Sequence, residues 1–354
     1  MQTSSALPEK PNSKETLPSE KSSNPDRPQI VSLFCGAGGL DLGFHEQGFK
    51  ISLAIDISSA AIKTHKRNFP TTPSFAADLI KLGPKGVFNL VAENIPFGTK
   101  IGVIGGPPCQ GFSRANTASY AKDPRNMLPN LYVEIVKKLQ SKYKVEFVVF
   151  ENVLGIRDKK HNETYSTLIN NLSKLKFDIT EKELCAIDFG VPQIRKRIIL
   201  SALRKGKYGS VTPLKQEGHT TIKPLLYALP EPAYFKRSID PNDIPYHINH
   251  WTMTPKSVRF LNPEASLPAS RSFRRLSWDK PSPTVAYGNR EIHIHPNGRR
   301  RLSIFEAMLL QGFPETFILE GNFSQQVEQV SNAVPPPMGS SIARAVITAM
   351  ECKP

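Results

Sequence analysis

Ile30-Val31-Ser32-Leu33-Phe34-Cys35-Gly36-Ala37-Gly38-Gly39-Leu40-Asp41 begins as a short apolar run and breaks into glycines. Glycines between a strand and a helix let the backbone approach a ligand closely. Outward from this stretch the same rhythm returns. Ile51–Ile55 is an apolar run ending at Asp56, Ile101–Ile104 runs into Gly105-Gly106-Pro107-Pro108, and Val145–Phe150 runs into Glu151-Asn152. Helical patterns lie between the runs, as at Leu131–Leu139, where Leu131, Ile135, Val136 and Leu139 share a face. This alternation predicts an α/β fold with a mainly parallel sheet covered by helices. Ligands of such folds bind beyond the carboxyl ends of the strands, where each of these residue groups falls.

Charge and composition narrow the class. The chain has 354 residues, and 46 basic against 31 acidic side chains give it a formal charge of +15, an excess that favours a polyanionic partner. The four cysteines, Cys35, Cys109, Cys185 and Cys352, form no C-x-x-C pair and sit with no histidine cluster at zinc spacing. A reducing cytoplasm, where a lone thiol can act as a nucleophile, fits them better than a disulfide framework. No apolar run reaches the length of a membrane span, and the N-terminus lacks the apolar core of a secretory signal. Residues 1–28 are rich in Ser, Pro, Lys and Glu, which predicts a disordered tail with order beginning at Gln29. Residues 29–203 read as the catalytic and cofactor-binding domain. After Leu203 the chain becomes dense in Pro, Arg, Lys, His and aromatics, so 204–320 read as a smaller, loop-rich domain with 204–272 as its core. Helical patterns at Ser303–Leu310 and Gly339–Met350 follow, and 321–354 read as a segment returning to the first domain.

Four groups of residues carry chemistry. The glycine loop, with Asp56 about 20 residues on, suits a nucleoside whose ribose hydroxyls meet a carboxylate. A nicotinamide enzyme competes for this reading. The spacing is G-x-G-G, however, and lacks the G-x-G-x-x-G pattern that admits a pyrophosphate. In Gly105-Gly106-Pro107-Pro108-Cys109-Gln110-Gly111-Phe112-Ser113, two prolines fix the backbone ahead of a cysteine flanked by glycines, which presents a thiol on a rigid loop. Glu151-Asn152-Val153 ends a strongly apolar strand, where partial desolvation would raise the pKa of the glutamate and suit it to proton donation. Gln193-Ile194-Arg195-Lys196-Arg197 puts Arg195 and Arg197 on one face of an extended segment, suited to a base carbonyl, a carboxylate or phosphates.

In this order the motifs resemble the cytosine-C5 DNA methyltransferase family of the bacterial restriction-modification type. The likeness covers Gln29–Leu203 and Phe273–Met350, and Arg301-Leu302-Ser303, Gln311-Gly312-Phe313-Pro314 and Asn332-Ala333-Val334 complete the set. The resemblance implies a Rossmann-like mixed sheet of the S-adenosylmethionine-dependent methyltransferase type with a smaller target-recognition domain. S-adenosyl-L-methionine is the implied cofactor, contacted by Phe34, Gly36, Ala37, Gly38, Gly39, Asp56, Ile57, Asp78, Pro108, Leu128, Asn332 and Val334. Of these, Phe34 is expected to pack on adenine, Asp56 and Ile57 to bound the ribose and ring, and Asp78 to contact the adenine side. Asp56 stands where the family usually has Glu, and Ser331 where a Gly often precedes the Asn-x-Val motif.

The implied reaction uses Cys109 as a thiolate that adds to carbon 6 of a flipped-out cytosine. Carbon 5, now part of an enamine, takes the methyl group, and loss of the carbon-5 proton expels Cys109. Glu151 offsets charge at the ring nitrogen beside the amino group, and Arg197 with Arg195 holds the base carbonyl. The sulfonium is already an activated leaving group, so no metal is expected. Double-stranded DNA, a partner restriction endonuclease and a monomeric, cytoplasmic, nucleoid-associated enzyme follow by the same analogy. Ser113, His247, His250, Lys256 and Arg259, with Trp251 among them, are the expected DNA contacts. Rival readings are a tRNA cytosine-C5 methyltransferase of the same superfamily, a nicotinamide-dependent oxidoreductase, and a silent DNA-binding relative. The intact Cys109 and Glu151 argue against the last.

Overall fold

The computed structural model describes residues 24–108, 127–218, 220–236, 238–262, 274–287 and 291–352. The apolar runs fold as strands β1 (Gln29–Leu33), β2 (Ile51–Asp56), β3 (Ser74–Ala76), β4 (Lys100–Gly105), β5 (Lys144–Asn152) and β6 (Phe177–Cys185). A two-residue strand, β7 (Gln193–Ile194), precedes β8 (Lys196–Arg204). Seven of these form one sheet in the order β3-β2-β1-β4-β5-β8-β6. The ladders from β3 to β5 are parallel, whereas β8 runs antiparallel to both β5 and β6. The sheet is therefore mixed, with its parallel half at the N-terminal end of the chain. β1 and β4 lie at the point where the strand order reverses, so their carboxyl ends open the crevice in which this architecture binds ligands.

Helices cover both faces because the strands alternate two buried sets of side chains. On one face, α3 (Leu79–Asn94), α4 (Leu128–Leu139) and α5 (Asn162–Lys174) pack Val87, Tyr132, Val136 and Leu168 against Leu33, Leu53, Val103 and Phe150. On the other, α1 (Gly39–Glu46) and α10 (Pro336–Glu351) pack Phe44, Met338 and Ile342 against Ile30, Ile104, Phe147 and Val149. α1 and α10 approach closely because a Cβ at Gly43 would strike the backbone of Gly339 and Ser340. α2 (Ser59–Asn68) follows β2 and is capped by Ser58, whose Oγ accepts the Ala61 N–H at 3.3 Å.

A second core, beyond the strand ends, gathers Ile222, Leu226, Ile244, Trp251, Val285, Leu302, Met308, Phe313 and Phe317. It includes α6 (Lys223–Leu226), α8 (Ile304–Leu310) and α9 (Phe323–Asn332), while α7 (Val258–Leu261) is a short helix whose Val258 and Leu261 are exposed. α9 packs into this core and α10 onto the sheet. Residues 24–28, ahead of Gln29, are also held against the chain around Gly48 and Phe49. The Asn24 N–H donates to Gly48 O at 3.2 Å, and the Arg27 guanidinium lies 5.6 Å over the Phe49 ring. A cation over an aromatic face supplies an attachment that the composition of the tail conceals.

Candidate active site

The glycine loop leaves β1 through an unusual backbone. Phe34 has φ +55°, a left-handed conformation that costs a non-glycine residue free energy, and Gly36 and Gly38 follow at +55° and +91°. The half-buried Phe34 ring packs against the core beneath α3, α4 and α5. Asp56, at the end of β2, grips this loop. Its carboxylate accepts the Gly36 N–H at 2.9 Å and the Ser58 N–H at 2.8 Å. Burial raises its pKa, against the lowering effect of those two donors. Next to it Ile57 is 68% exposed, an isoleucine left uncovered at the end of β2. A Cβ on Gly36 would meet nothing within 4 Å, so the loop rims an open space. Asp78 is half-buried and caps α3 through the Ile80 N–H at 2.9 Å. Gly39 admits the Val334 carbonyl where a Cβ would otherwise sit, so Asn332-Ala333-Val334 closes on the loop from the C-terminal side. Asn332 is exposed there and Val334 buried. An aromatic ring, an exposed isoleucine and a carboxylate at the ends of β1 and β2, with close-packed backbone beside them, suit an adenosine-type ligand.

The acidic and basic groups meet one strand pair away. Glu151 lies on β5 and Arg197 on the antiparallel β8, and Arg197 Nε stands 2.8 Å from Glu151 Oε1. Burial raises the Glu151 pKa, and the coulombic pull of Arg197 and then Arg195 opposes the rise without cancelling it. A Cβ on Gly106 would come within 2.6 Å of Glu151 Oε2, so the glycine lets the carboxylate sit against the chain entering Pro107-Pro108. Asn152 Nδ2 donates to Pro107 O at 3.1 Å and pins that entry to the end of β5. The Pro-Pro turn that leads into Cys109 is thus fastened beside Glu151. Cys109 and Ser113 themselves lie outside the described residues, whereas Pro108 is half-buried and Leu128, at the start of α4, is buried.

The match of residues 29–348 to the model of the C-5 cytosine-specific DNA methylases settles the family. The chain belongs to the C-5 cytosine-specific DNA methylase family. It is an S-adenosylmethionine-dependent C-5 cytosine DNA methyltransferase. It is 33% identical over 334 residues to the type II methyltransferase M1.HphI of Haemophilus parahaemolyticus, covering 90% of this chain and 86% of that one. It is 32% identical over 349 residues to the type II methyltransferase M.MthTI of Methanothermobacter thermautotrophicus, covering 90% and 96%. Among solved structures, it resembles a protein described as a DNA modification methyltransferase encoded within an E. coli prophage. The TM-score is 0.76 at 26% identity, covering 92% of this chain and all of that one.

Within this methyltransferase the two arginines of the Q-x-R-x-R segment play different parts. Both act electrostatically on Glu151, but Arg195 is almost fully buried and donates from Nη2 to Ser331 O at 2.7 Å. It ties the segment between β7 and β8 to the end of α9. Gln193 Nε2 donates to Gln311 Oε1 at 2.7 Å, and Gln311 Nε2 to Ala333 O at 2.6 Å. Three motifs far apart in sequence are joined by this chain of buried amides. Sequence reasoning marks Gln193 and Gln311 as motif members but assigns them no task, since an amide's partner is visible only in three dimensions. Gly106 and Asn152 are missed in the same way.

The expected DNA contacts divide. Lys256 is exposed, and the Arg259 side chain lies outside the described residues. His247 and His250 are corrected by the structure, at 7% and 0% exposure. The His247 ring stacks on Phe305 at 4.1 Å, and burial pushes its pKa down to about 3. His250 spans Ser303 Oγ at 3.0 Å and Pro230 O at 2.8 Å. Trp251 Nε1 donates to Gln326 Oε1 at 2.8 Å. His250 and Trp251 are held in the second core by their polar edges, because a buried polar group needs a partner, while His247 is held by its stack on Phe305 and by the Asn249 N–H, which donates to Nδ1 at 3.0 Å. No described helix is long and apolar enough to cross a membrane.

Proposed function

We propose that this methyltransferase modifies carbon 5 of a cytosine flipped out of a short specific duplex sequence, through a covalent adduct with Cys109. The observation that carries this reading is the Glu151–Arg197 pair set against Gly106, at the entrance to the Pro-Pro turn that delivers Cys109. Phe34, Asp56, Ile57, Asp78 and Asn332, with the backbone of Gly36 to Gly39, would hold S-adenosylmethionine. Bound there, it supplies a methyl group on sulfonium sulfur. Cys109 as thiolate adds to carbon 6. Glu151, whose carboxyl keeps its proton to higher pH than usual, donates to the ring nitrogen beside the amino group, so that negative charge does not accumulate. Arg197 orients Glu151 and faces the base carbonyl. Once carbon 5 is methylated, water takes its proton, the electron pair re-forms the carbon 5–carbon 6 double bond and expels Cys109 as thiolate, and the ring nitrogen returns its proton to Glu151. A base in a stacked duplex cannot be approached in this way, so it leaves the stack at a cost of a few kcal/mol.

Exposed basic residues such as Lys256 would grip flanking phosphates, and by analogy with the type II methyltransferases it resembles the enzyme would act in the cytoplasm beside a partner restriction endonuclease. The test incubates the protein with labelled S-adenosylmethionine and either duplex DNA or tRNA, and maps the product by bisulfite sequencing. Methyl-cytosine at one recurring DNA sequence is expected, with label lost in Cys109→Ser. Label only in tRNA, or undiminished turnover in Cys109→Ser, overturns the reading.

A further inference from the structure

Beneath the glycine loop lies a closed polar network in which the mechanism has no part. Asp41, in the first turn of α1, has no solvent exposure. Its Oδ1 accepts the Ser32 hydroxyl at 2.6 Å, and its Oδ2 lies 2.9 Å from His65 Nε2. His65 Nδ1 lies 2.8 Å from Ser74 Oγ, which also donates to Thr72 O at 3.0 Å. All four side chains are buried, and they come from β1, α1, α2 and β3. Cys35 is near enough for Cys35, Asp41 and His65 to resemble a metal set. At 2.9 Å, however, the carboxylate and imidazole already bond each other and leave no room for an ion between them.

What rests on the network is the loop itself. The His65 ring stacks on Phe69 at 4.4 Å, and a Cβ on Gly38 would lie 3.0 Å from His65 Cδ2 and 2.7 Å from Phe69 Cε2. Gly38 therefore sits directly on the two rings, while Asp56 holds Gly36 from the other side. A helix-dipole role explains a carboxylate in the first turn of α1, but not its aim at a buried imidazole that is gripped at both nitrogens. We propose that His65, oriented by Asp41 and Ser74, is a positioning residue that fixes the height of the glycine loop and thereby sets the affinity for S-adenosylmethionine. This rests on the assignment of the loop as the cofactor site.

His65→Phe keeps the stack on Phe69 and the contact with Gly38 but removes both ring nitrogens, so Asp41 Oδ2 loses its partner while Oδ1 keeps Ser32. Titration calorimetry with S-adenosylhomocysteine, together with steady-state kinetics on duplex DNA, should show the Kd and the KM for S-adenosylmethionine raised tenfold or more. The kcat at saturating cofactor and the DNA affinity should stay within twofold of the parent. A merely structural role would lower the melting temperature without this split between KM and kcat. If His65→Phe does not fold, Ser74→Ala decides, since it frees only one edge of the ring. A Kd raised about threefold supports the proposal, and an unchanged Kd in Ser74→Ala, or in folded His65→Phe, overturns it. Failure of the unmodified protein to bind S-adenosylhomocysteine would instead sink the cofactor assignment.

Discussion

Glu151 has two opposing influences on its charge, and burial is the stronger. The sign follows directly. A carboxyl with a raised pKa keeps its proton as pH rises past the ordinary carboxylate range, and a rate that needs the proton falls as pH passes through the raised value. A positioned general acid is worth about 10²–10⁴-fold, so Glu151→Gln, which keeps a donor but cannot release a proton, should lose kcat on that scale. Its pH–rate profile should also lose the alkaline limb; a limb that persists in the variant would assign it to another group. Gly106→Ala tests the neighbouring contact. Its Cβ would press within 2.6 Å of Glu151 Oε2, so kcat should fall while the melting temperature barely moves. Residue types at strand ends are legible in the sequence here, because each stands just after an apolar run. The glycine's purpose is not, since the carboxylate it accommodates lies 45 positions away in the chain, the difference between 106 and 151.

Helix α1 carries both the cofactor loop and the main contact with α10. Gly43 is the closest point, and any side chain there must push α10 from the sheet. Overpacking costs about 1–3 kcal/mol, so Gly43→Val should lower the calorimetric melting temperature by several degrees. An unchanged melting curve would mean that α10 yields without strain. The second core makes a different prediction. Burial pushes His247 down to about 3 and His293 to about 4. In the unfolded chain both ionise near about 6.5. Between these values the unfolded chain takes up protons that the folded core refuses. Stability is therefore full above about 6.5 and declines as pH falls toward 4. Trp251 and Trp278 both pack in this core, so their fluorescence should report an earlier melt at pH 5 than at pH 7.5. His247→Phe, which keeps the stack on Phe305, should flatten that dependence.

At the scale of the whole molecule, a formal charge of +15 meets a polyanion, and association should weaken steeply with salt. Lys256→Glu, at an exposed position, should reduce DNA affinity across sequences and flatten the salt slope by about 1 or more, leaving kcat at saturating DNA intact. Binding curves at several ionic strengths check this. Replacing 204–272 by the corresponding segment of a relative with another target sequence should move the methylated site to the donor's, as read by bisulfite mapping. The exchange must retain Ile222, Leu226, Ile244 and Trp251, which belong to the second core. An active chimera that still marks the original sequence would place recognition elsewhere.

The sequence by itself determined the strands of the parallel half, the glycine loop, the order of the motifs and the family. These are local signals, written in apolar runs of strand length and in glycine and proline at the turns between them. Only the tertiary structure decided which polar residues are sites and which are scaffold. His247, His250 and Trp251 look like nucleic-acid contacts because they are polar, aromatic and close together in the chain. His250 and Trp251 are core because Ser303, Pro230 and Gln326 satisfy them from other elements, and His247 because its ring stacks on Phe305. Arg195 and Arg197 are equivalent in an extended segment, yet one reaches the end of α9 and the other Glu151. A buried polar group is stable only where partners converge on it, and convergence is a property of the fold, not of neighbours in sequence.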